Sequence, residues 1–87
     1  MTPVEHDFMF EGMEVGIFQE LPRSPGRFPY EPYRGPGHYE MLRRLSAGEK
    51  PRCYFDSDGV RVSFTVQSCP AYGVLDLYDF ESSKVVA

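Results

Sequence analysis

The sequence contains no tryptophan and only two cysteines, and none of its apolar runs reaches the length of about 18 residues that a membrane-spanning helix requires. Residues 1–7 include neither the basic segment nor the apolar segment of a secretion signal. These features predict a cytoplasmic protein that does not contact membranes. Thiols stay reduced in that compartment, so we expect Cys53 and Cys69 to be free.

Motifs for metal ions and cofactors are also missing. The candidate ligands are His6, His38, Cys53 and Cys69. They form no Cys-x-x-Cys or His-x-x-x-His pair, so the sequence predicts no metal site and no cofactor. Residues 35–37, beside Arg34, precede a predicted helix and could bind an anion, but they lack the longer glycine pattern and the lysine of a phosphate-binding loop. We favour a sharp turn that starts a helix as the explanation of these residues.

The 87 residues, with a mass of 10.0 kDa, are rich in aromatic side chains, with seven Phe and six Tyr, and 41% of them are hydrophobic. This composition is typical of a folded chain, and the length allows one small core. We therefore predict a single domain over 1–87 whose ends, 1–7 and 82–87, are frayed.

The formal net charge of −4 is distributed unevenly along the chain. Residues 1–20 carry −5, residues 21–52 carry +4, and residues 53–87 carry −3. The basic middle could bind an anionic partner, or it could be neutralised by the acidic ends of the same chain or of a second copy. We favour neutralisation, because the overall pI of 5.0 is unlike that of a nucleic-acid-binding domain.

Alternation of apolar and polar residues predicts a strand over 13–19, preceded by an edge strand within 1–12. Gly16 would mark a bulge or a close approach of another backbone. The residues expected on one face of the strand are Met13, Val15 and Ile17.

Five of the eight prolines lie within 21–37, where they remove the N–H donors that helices and central strands need. This segment is predicted to be a long loop that lies partly on the core. The rings that would anchor it are Phe28, Tyr30 and Tyr33. Pro22 and Pro25, followed by Arg27, have the Pro-x-x-Pro-x-Arg pattern of a polyproline II ligand, and Pro29 and Pro32 repeat the Pro-x-x-Pro spacing. Such a ligand requires an exposed segment.

A helix is predicted over 38–47, because Pro36 and Gly37 mark its start and Gly48 its end. Its apolar stripe would consist of Met41, Leu42 and Leu45, with His38 or Tyr39 above it. On the outer face, Glu40 is spaced to pair with Arg43 and Arg44.

A β-hairpin follows, with strands over 52–56 and 60–68 and an Asp-Gly turn at 57–59. A turn at 69–73 leads to a last strand over 74–80. The side chains predicted to face the core are Cys53, Phe55, Val60, Val62, Phe64 and Val66. The elements together predict an α+β fold: a small, mostly antiparallel sheet of about four strands, with one short helix and a long proline-rich loop. A curled sheet of the SH3-like or OB-like kind is the alternative.

The most distinctive chemistry is the interleaving of tyrosine and arginine side chains around the predicted start of the helix. Both residue types are enriched at protein-binding hot spots, and stacked rings beside guanidinium groups also suit single-stranded nucleic acid. Alternatively, the rings belong to the core and the arginines to a solvated rim. The candidate binding residues are Tyr30, Tyr33, Arg34, His38, Tyr39 and Arg43. We expect Tyr30, Tyr33 and Arg34 to be partly exposed at the centre of the surface.

These observations favour a small non-enzymatic binding domain that contacts a protein partner or a second copy of itself. One alternative is a binder of single-stranded nucleic acid or another anion, which the net acidity disfavours. A further alternative is a small enzyme in which His38 acts as a base toward a thiol. The spacing of the carboxylates selects no acid and base pair, and no catalytic residue is predicted.

Overall fold

The computed structural model describes residues 6–85 and forms one helix and six strands in that part of the chain. The elements in order are β1 (His6–Phe10), β2 (Met13–Phe18), β3 (Gly26–Pro32), α1 (Pro36–Ser46), β4 (Arg52–Ser57), β5 (Val60–Ala71) and β6 (Val74–Lys84). The strands pair antiparallel in the order β1-β2-β3-β6-β5-β4, and the pairing of Met9 with Tyr54 closes the barrel. The helix and the antiparallel pairing confirm the coarse fold class, and an SH3-like or OB-like curled sheet fits this barrel. The expected number of about four strands is wrong.

The proline-rich segment contains β3, so the prediction of one long loop over 21–37 is wrong. β3 pairs with β6 from Gly26 to Pro29 and with β2 from Tyr30 to Pro32. Pro29 therefore stands at the end of the ladder with β6, and Pro32 at the end of the ladder with β2. A missing N–H donor costs least at the end of a ladder. At the change of partner, the amide of Tyr30 donates to the carbonyl oxygen of Gly73 at 2.8 Å.

A bulge in β2 changes which of its residues face the core. Phe8 of β1 pairs with Gly16, whereas Met9 pairs with Glu14, so Val15 is the extra residue. Val15 and Phe18 are buried, and the expectation that Ile17 shares the face of Val15 is wrong because the bulge reverses the alternation. The close approach at Gly16 is confirmed, because a Cβ atom there would lie 2.5 Å from the carbonyl oxygen of Glu31.

The core of the barrel is built from phenylalanine rings. Phe8 stacks on Phe18 with ring centroids 4.3 Å apart, and Phe64 meets Phe18 at 5.8 Å and Phe55 at 6.2 Å. The inward positions predicted for the hairpin are confirmed by burial of Cys53, Phe55, Val62, Phe64 and Val66, while Val60 is partly buried against them.

The predicted hairpin turn is confirmed, because Asp58 and Gly59 both have positive φ angles between β4 and β5. The turn predicted over 69–73 is shorter than expected: β5 continues to Ala71, and only Tyr72 and Gly73 form the turn. Residues 6 and 7 lie in β1 and residues 82–84 in β6, so the predicted fraying is wrong for them. Val85 lies outside the strand, and its amide donates to the carbonyl oxygen of Gly59 at 2.9 Å. Residues 1–5 and 86–87 lie outside the described residues.

The helix α1 starts two residues earlier than predicted, with Pro36 in its first turn. Gly37 sits against the backbone of β2, so close to the carbonyl oxygen of Glu14 that a Cβ atom would not fit. Met41 and His38 are buried, whereas Tyr39 is exposed. His38, and not Tyr39, therefore continues the apolar stripe of the helix. Within residues 6–85, no helix is long and apolar enough to cross a membrane.

Candidate functional site

A buried hydrogen bond joins α1 to β3. The hydroxyl of Tyr30 and Nε2 of His38 lie 2.8 Å apart, and the two side chains are only 4% and 1% exposed. Burial lowers the pKa of His38 below its ordinary value. Burial, together with the nearby Cys69 thiol, raises the pKa of Tyr30. Both groups are therefore uncharged at neutral pH.

Two exposed tyrosine rings cover His38 from the solvent side. The Tyr39 ring lies 5.8 Å from the His38 ring, and the Tyr72 ring meets it edge-on at 6.0 Å. Tyr39 is 59% exposed and Tyr72 is 75% exposed, the largest values among the large hydrophobic side chains of the described residues. We refer to the exposed rings of Tyr39 and Tyr72 as the aromatic patch.

Backbone contacts hold the patch in place. Tyr72 occupies the β5–β6 turn, in which Gly73 has a φ of 83° that glycine tolerates best. Gly73 also accepts the amide of Tyr30, so the turn is attached to β3. On the other side, the close packing of Gly37 on β2 fixes the first turn of α1, which carries Tyr39.

The six residues predicted from the sequence do not form one continuous surface. Tyr30 and His38 support the patch from inside, so the expectation that Tyr30 is partly exposed is wrong. Tyr39 belongs to the patch. Arg43 lies on the outer face of α1 and makes two hydrogen bonds with Glu40, as the spacing predicted.

The remaining two predicted residues lie before the helix. The Tyr33 hydroxyl donates to Oδ1 of Asp7 at 2.6 Å, and its amide donates to the carbonyl oxygen of Val15. Tyr33 is half-buried, and Arg34 is exposed. Both residues line a cleft of about 480 Å³ at the start of α1.

Most arginines from the middle of the sequence form ion pairs with carboxylates of the same chain. Ion pairs link the basic middle of the chain to its acidic ends: Arg27 with Asp76, Arg44 with Glu11, and Arg52 with Asp79 and Glu81. Among the described residues, Arg23 and Arg34 are the arginines that contact no carboxylate. The charge pattern therefore agrees with internal neutralisation.

The two Pro-x-x-Pro spacings are not available as a free polyproline II segment. Pro22 is buried, and Arg27, which follows the first spacing, is engaged by Asp76. The second spacing lies in β3, between β2 and β6. Residues 23–27 are exposed, but the first spacing offers only one of its two prolines to a binding groove, and the second spacing is part of the sheet.

The thiols are not joined to each other. Cys53 is completely buried, and burial raises its pKa to about 12. Cys69 is half-buried and its thiol donates to the carbonyl oxygen of Ala71 at 3.1 Å. Within residues 6–85, no three His, Cys, Asp or Glu side chains converge on a possible metal position.

Compared with known proteins, the chain matches no family model, no curated protein and no solved structure at a significant level. The site must therefore be interpreted from its own geometry. Sequence reasoning missed Tyr72, although its signal was present: a bulky ring in a turn between Pro70 and Gly73 cannot be buried within the sheet.

Proposed function

We propose that this barrel is a protein-binding domain and that the aromatic patch is the centre of its binding surface. The observation that carries the proposal is the exposure of Tyr39 and Tyr72, two large rings that contact one buried histidine. Exposed apolar surface of this kind marks interaction sites more often than it serves a folded monomer. Tyrosine is also among the residues that contribute most to binding energy when an interface covers it.

The support beneath the rings favours binding. Each ring rests on His38, and His38 is hydrogen-bonded to Tyr30 inside the barrel. Association restricts side chains that move freely in the unbound protein, at a cost of about 0.5–1.5 kcal/mol for each flexible one. Rings that already pack on a buried group lose less freedom, so more of the contact energy remains as affinity.

The surroundings of the patch indicate the chemistry of the partner. Pro70 and Ala71, next to Tyr72, are exposed, so the apolar surface extends along the end of the β5–β6 hairpin. Arg43 follows Tyr39 by one helical turn and its side chain is 63% exposed. The Arg43 guanidinium is already hydrogen-bonded to Glu40, so the unsatisfied part of this surface is apolar. A protein segment with an apolar centre would complement it.

Two other functions have less support. Nucleic-acid binding needs unpaired cations, and most of the arginines here already contact carboxylates. Catalysis by His38 needs a substrate within hydrogen-bond reach, and the ring is 1% exposed beneath two tyrosines.

The test compares proteins captured from the native cell, with and without nuclease treatment, by wild type and by the double variant Tyr39→Ser/Tyr72→Ser. Tyr78→Ser is the matched control, because Tyr78 is 36% exposed but lies six residues beyond Tyr72 along β6. We expect a partner that binds wild type and the control with equal affinity and binds the double variant at least tenfold more weakly. A photo-crosslinker at position 72 should join the chain to that same protein.

Each alternative has its own signature in this experiment. Capture that the double variant retains would contradict the proposal. Loss of capture on nuclease treatment would support the nucleic-acid alternative. Sedimentation equilibrium of the purified chain, with dissociation caused by the double variant, would identify the partner as a second copy. The variant Tyr33→Ala/Arg34→Ala tests whether the cleft before α1 takes part.

A further inference from the structure

His38 is the point at which three parts of the fold meet beneath the aromatic patch. It belongs to α1, it is hydrogen-bonded to Tyr30 of β3, and its ring touches Tyr72 of the β5–β6 turn. It is the buried histidine of the described residues. A change in the charge of this one ring therefore acts on every element that holds the patch.

The titratable groups around His38 do not favour its charged form. Those that face it are phenols, namely Tyr30, Tyr39 and Tyr72, and the Cys69 thiol of β5 lies near Tyr30. The carboxylates on the strands under α1 are not hydrogen-bonded to it: Asp7 of β1 accepts from Tyr33, and Glu14 of β2 is exposed. No charged neighbour contributes to the lowered pKa, whose cause is burial.

A protonated His38 can gain hydration only by reaching solvent. Its covers on that side are the exposed rings of Tyr39 and Tyr72, whereas Tyr30 and the barrel core lie on the other side. The outward path therefore passes between the two tyrosines. Movement along it separates the rings and removes the support on which they rest.

We propose that the aromatic patch is an acid-sensitive surface: protonation of His38 drives its ring outward between Tyr39 and Tyr72 and opens the patch. The consequence for binding rests on the proposed function of the patch. A solvated histidine takes up its proton near pH 6.5. Each pH unit below that value favours the open patch by up to about tenfold, until the closed form itself becomes protonated.

The test follows the His38 and tyrosine ring signals by NMR between pH 7.5 and 4.5. We expect the Tyr39 and Tyr72 signals to change with the same midpoint as His38, below pH 6.5, while the Val62 and Phe64 amide signals stay unchanged. The variant His6→Gln serves as the matched control, because the chain has two histidines and this change removes the other one. It should titrate like wild type.

Two variants separate the proposal from a general effect of acid. His38→Gln should abolish the pH dependence of both tyrosine signals. Tyr72→Ala removes one cover and should move the His38 midpoint upward, toward pH 6.5. The proposal is wrong if His38 titrates without change at the tyrosines, if it does not titrate above pH 4.5, if Tyr72→Ala leaves its midpoint unchanged, or if the whole barrel unfolds together with the patch.

The ring signals need no partner, so the outcomes for the two proposals are distinguishable. If the rings separate in acid but Tyr39→Ser/Tyr72→Ser does not affect protein binding, the acid response stands and the binding function fails. If the double variant loses binding but the tyrosine signals do not follow the titration of His38, the binding function stands and the acid response fails. Equal wild-type affinity at pH 7.5 and 5.0 would contradict the consequence of the acid response for binding.

Discussion

Arg27 of β3 makes two hydrogen bonds with Asp76 of β6, at 2.8 Å from Nε and 3.2 Å from Nη2, and the two residues are direct partners in the strand ladder. Ser68 of β5 also donates to Asp76, at 2.9 Å. Opposite charges across a ladder stabilise the pairing of its strands. The contact joins the basic middle of the chain to its acidic end. It lies in β3, the strand that the sequence analysis predicted to be a loop because of its prolines.

Truncation of Phe64 tests the core. Its ring is completely buried and contacts Phe8, Phe18 and Phe55. Phe64→Ala should lower the free energy of unfolding by about 3–5 kcal/mol, because it removes buried apolar surface and leaves a cavity. Urea denaturation measures the change, with the exposed Tyr78→Ala as the control. A loss below about 1 kcal/mol would contradict the packing of this strand.

The backbone contact between β2 and β3 depends on Gly16. A Cβ atom at this position would lie 2.5 Å from the carbonyl oxygen of Glu31, which cannot move without breaking the ladder. Gly16→Ala should destabilise the protein by about 1–3 kcal/mol. Gly35→Ala is the matched control, because its Cβ meets open space and its φ of −161° suits any residue. Equal thermal midpoints for the two variants would show that the strands are not in such close contact.

Stability should fall in mildly acidic solution because of His38. Its pKa is lower in the folded state than in the unfolded chain, so the unfolded chain binds the proton first as pH falls below about 6.5. The free energy of unfolding then decreases by at most about 1.4 kcal/mol per pH unit, until the folded state also titrates, and it is constant above that window. The lowered pKa values of Glu40, Asp56 and Asp76 affect stability only at lower pH, as pH falls below the ordinary carboxylate range.

Urea midpoints at pH 7.5, 6.5 and 5.5 measure this dependence. His38→Gln should lose it, and His6→Gln should keep it. A wild-type stability that is flat over this range would mean that His38 has the same proton affinity in both states.

The two thiols should react at very different rates. Cys53 is completely buried with a raised pKa, whereas Cys69 is half-buried at the end of β5. A thiol reagent should label about one thiol in the native protein, and both should react after denaturation without reductant. Cys69→Ser should abolish the native reaction. No free thiol in the denatured, unreduced protein would contradict the expectation that both cysteines are reduced.

Local patterns predicted the β4–β5 hairpin well, because its turn depends on two adjacent residues, Asp58 and Gly59, that accept positive φ angles. β3 was not predictable in this way. Pro29 and Pro32 can lie in a strand because each stands at the end of a ladder, and where the ladders end depends on the pairing with β6 and β2. The bulge at Val15 likewise depends on the register with β1. The predicted site omitted Tyr72, because its contact with His38 forms only when the β5–β6 turn packs near α1 in the folded chain.

The pairing of β3 with β6 has a consequence for the rate of folding. Arg27 and Asp76 are 49 residues apart, so this ladder closes a much longer loop than the hairpin does. Contacts between residues distant in sequence form late, because the entropy of loop closure is lost before they can stabilise the chain. Tyr30 meets Gly73 only when this ladder has closed. A newly made chain therefore has no aromatic patch until its most distant strands have paired, and a partner that recognises the patch distinguishes the finished barrel from its precursors.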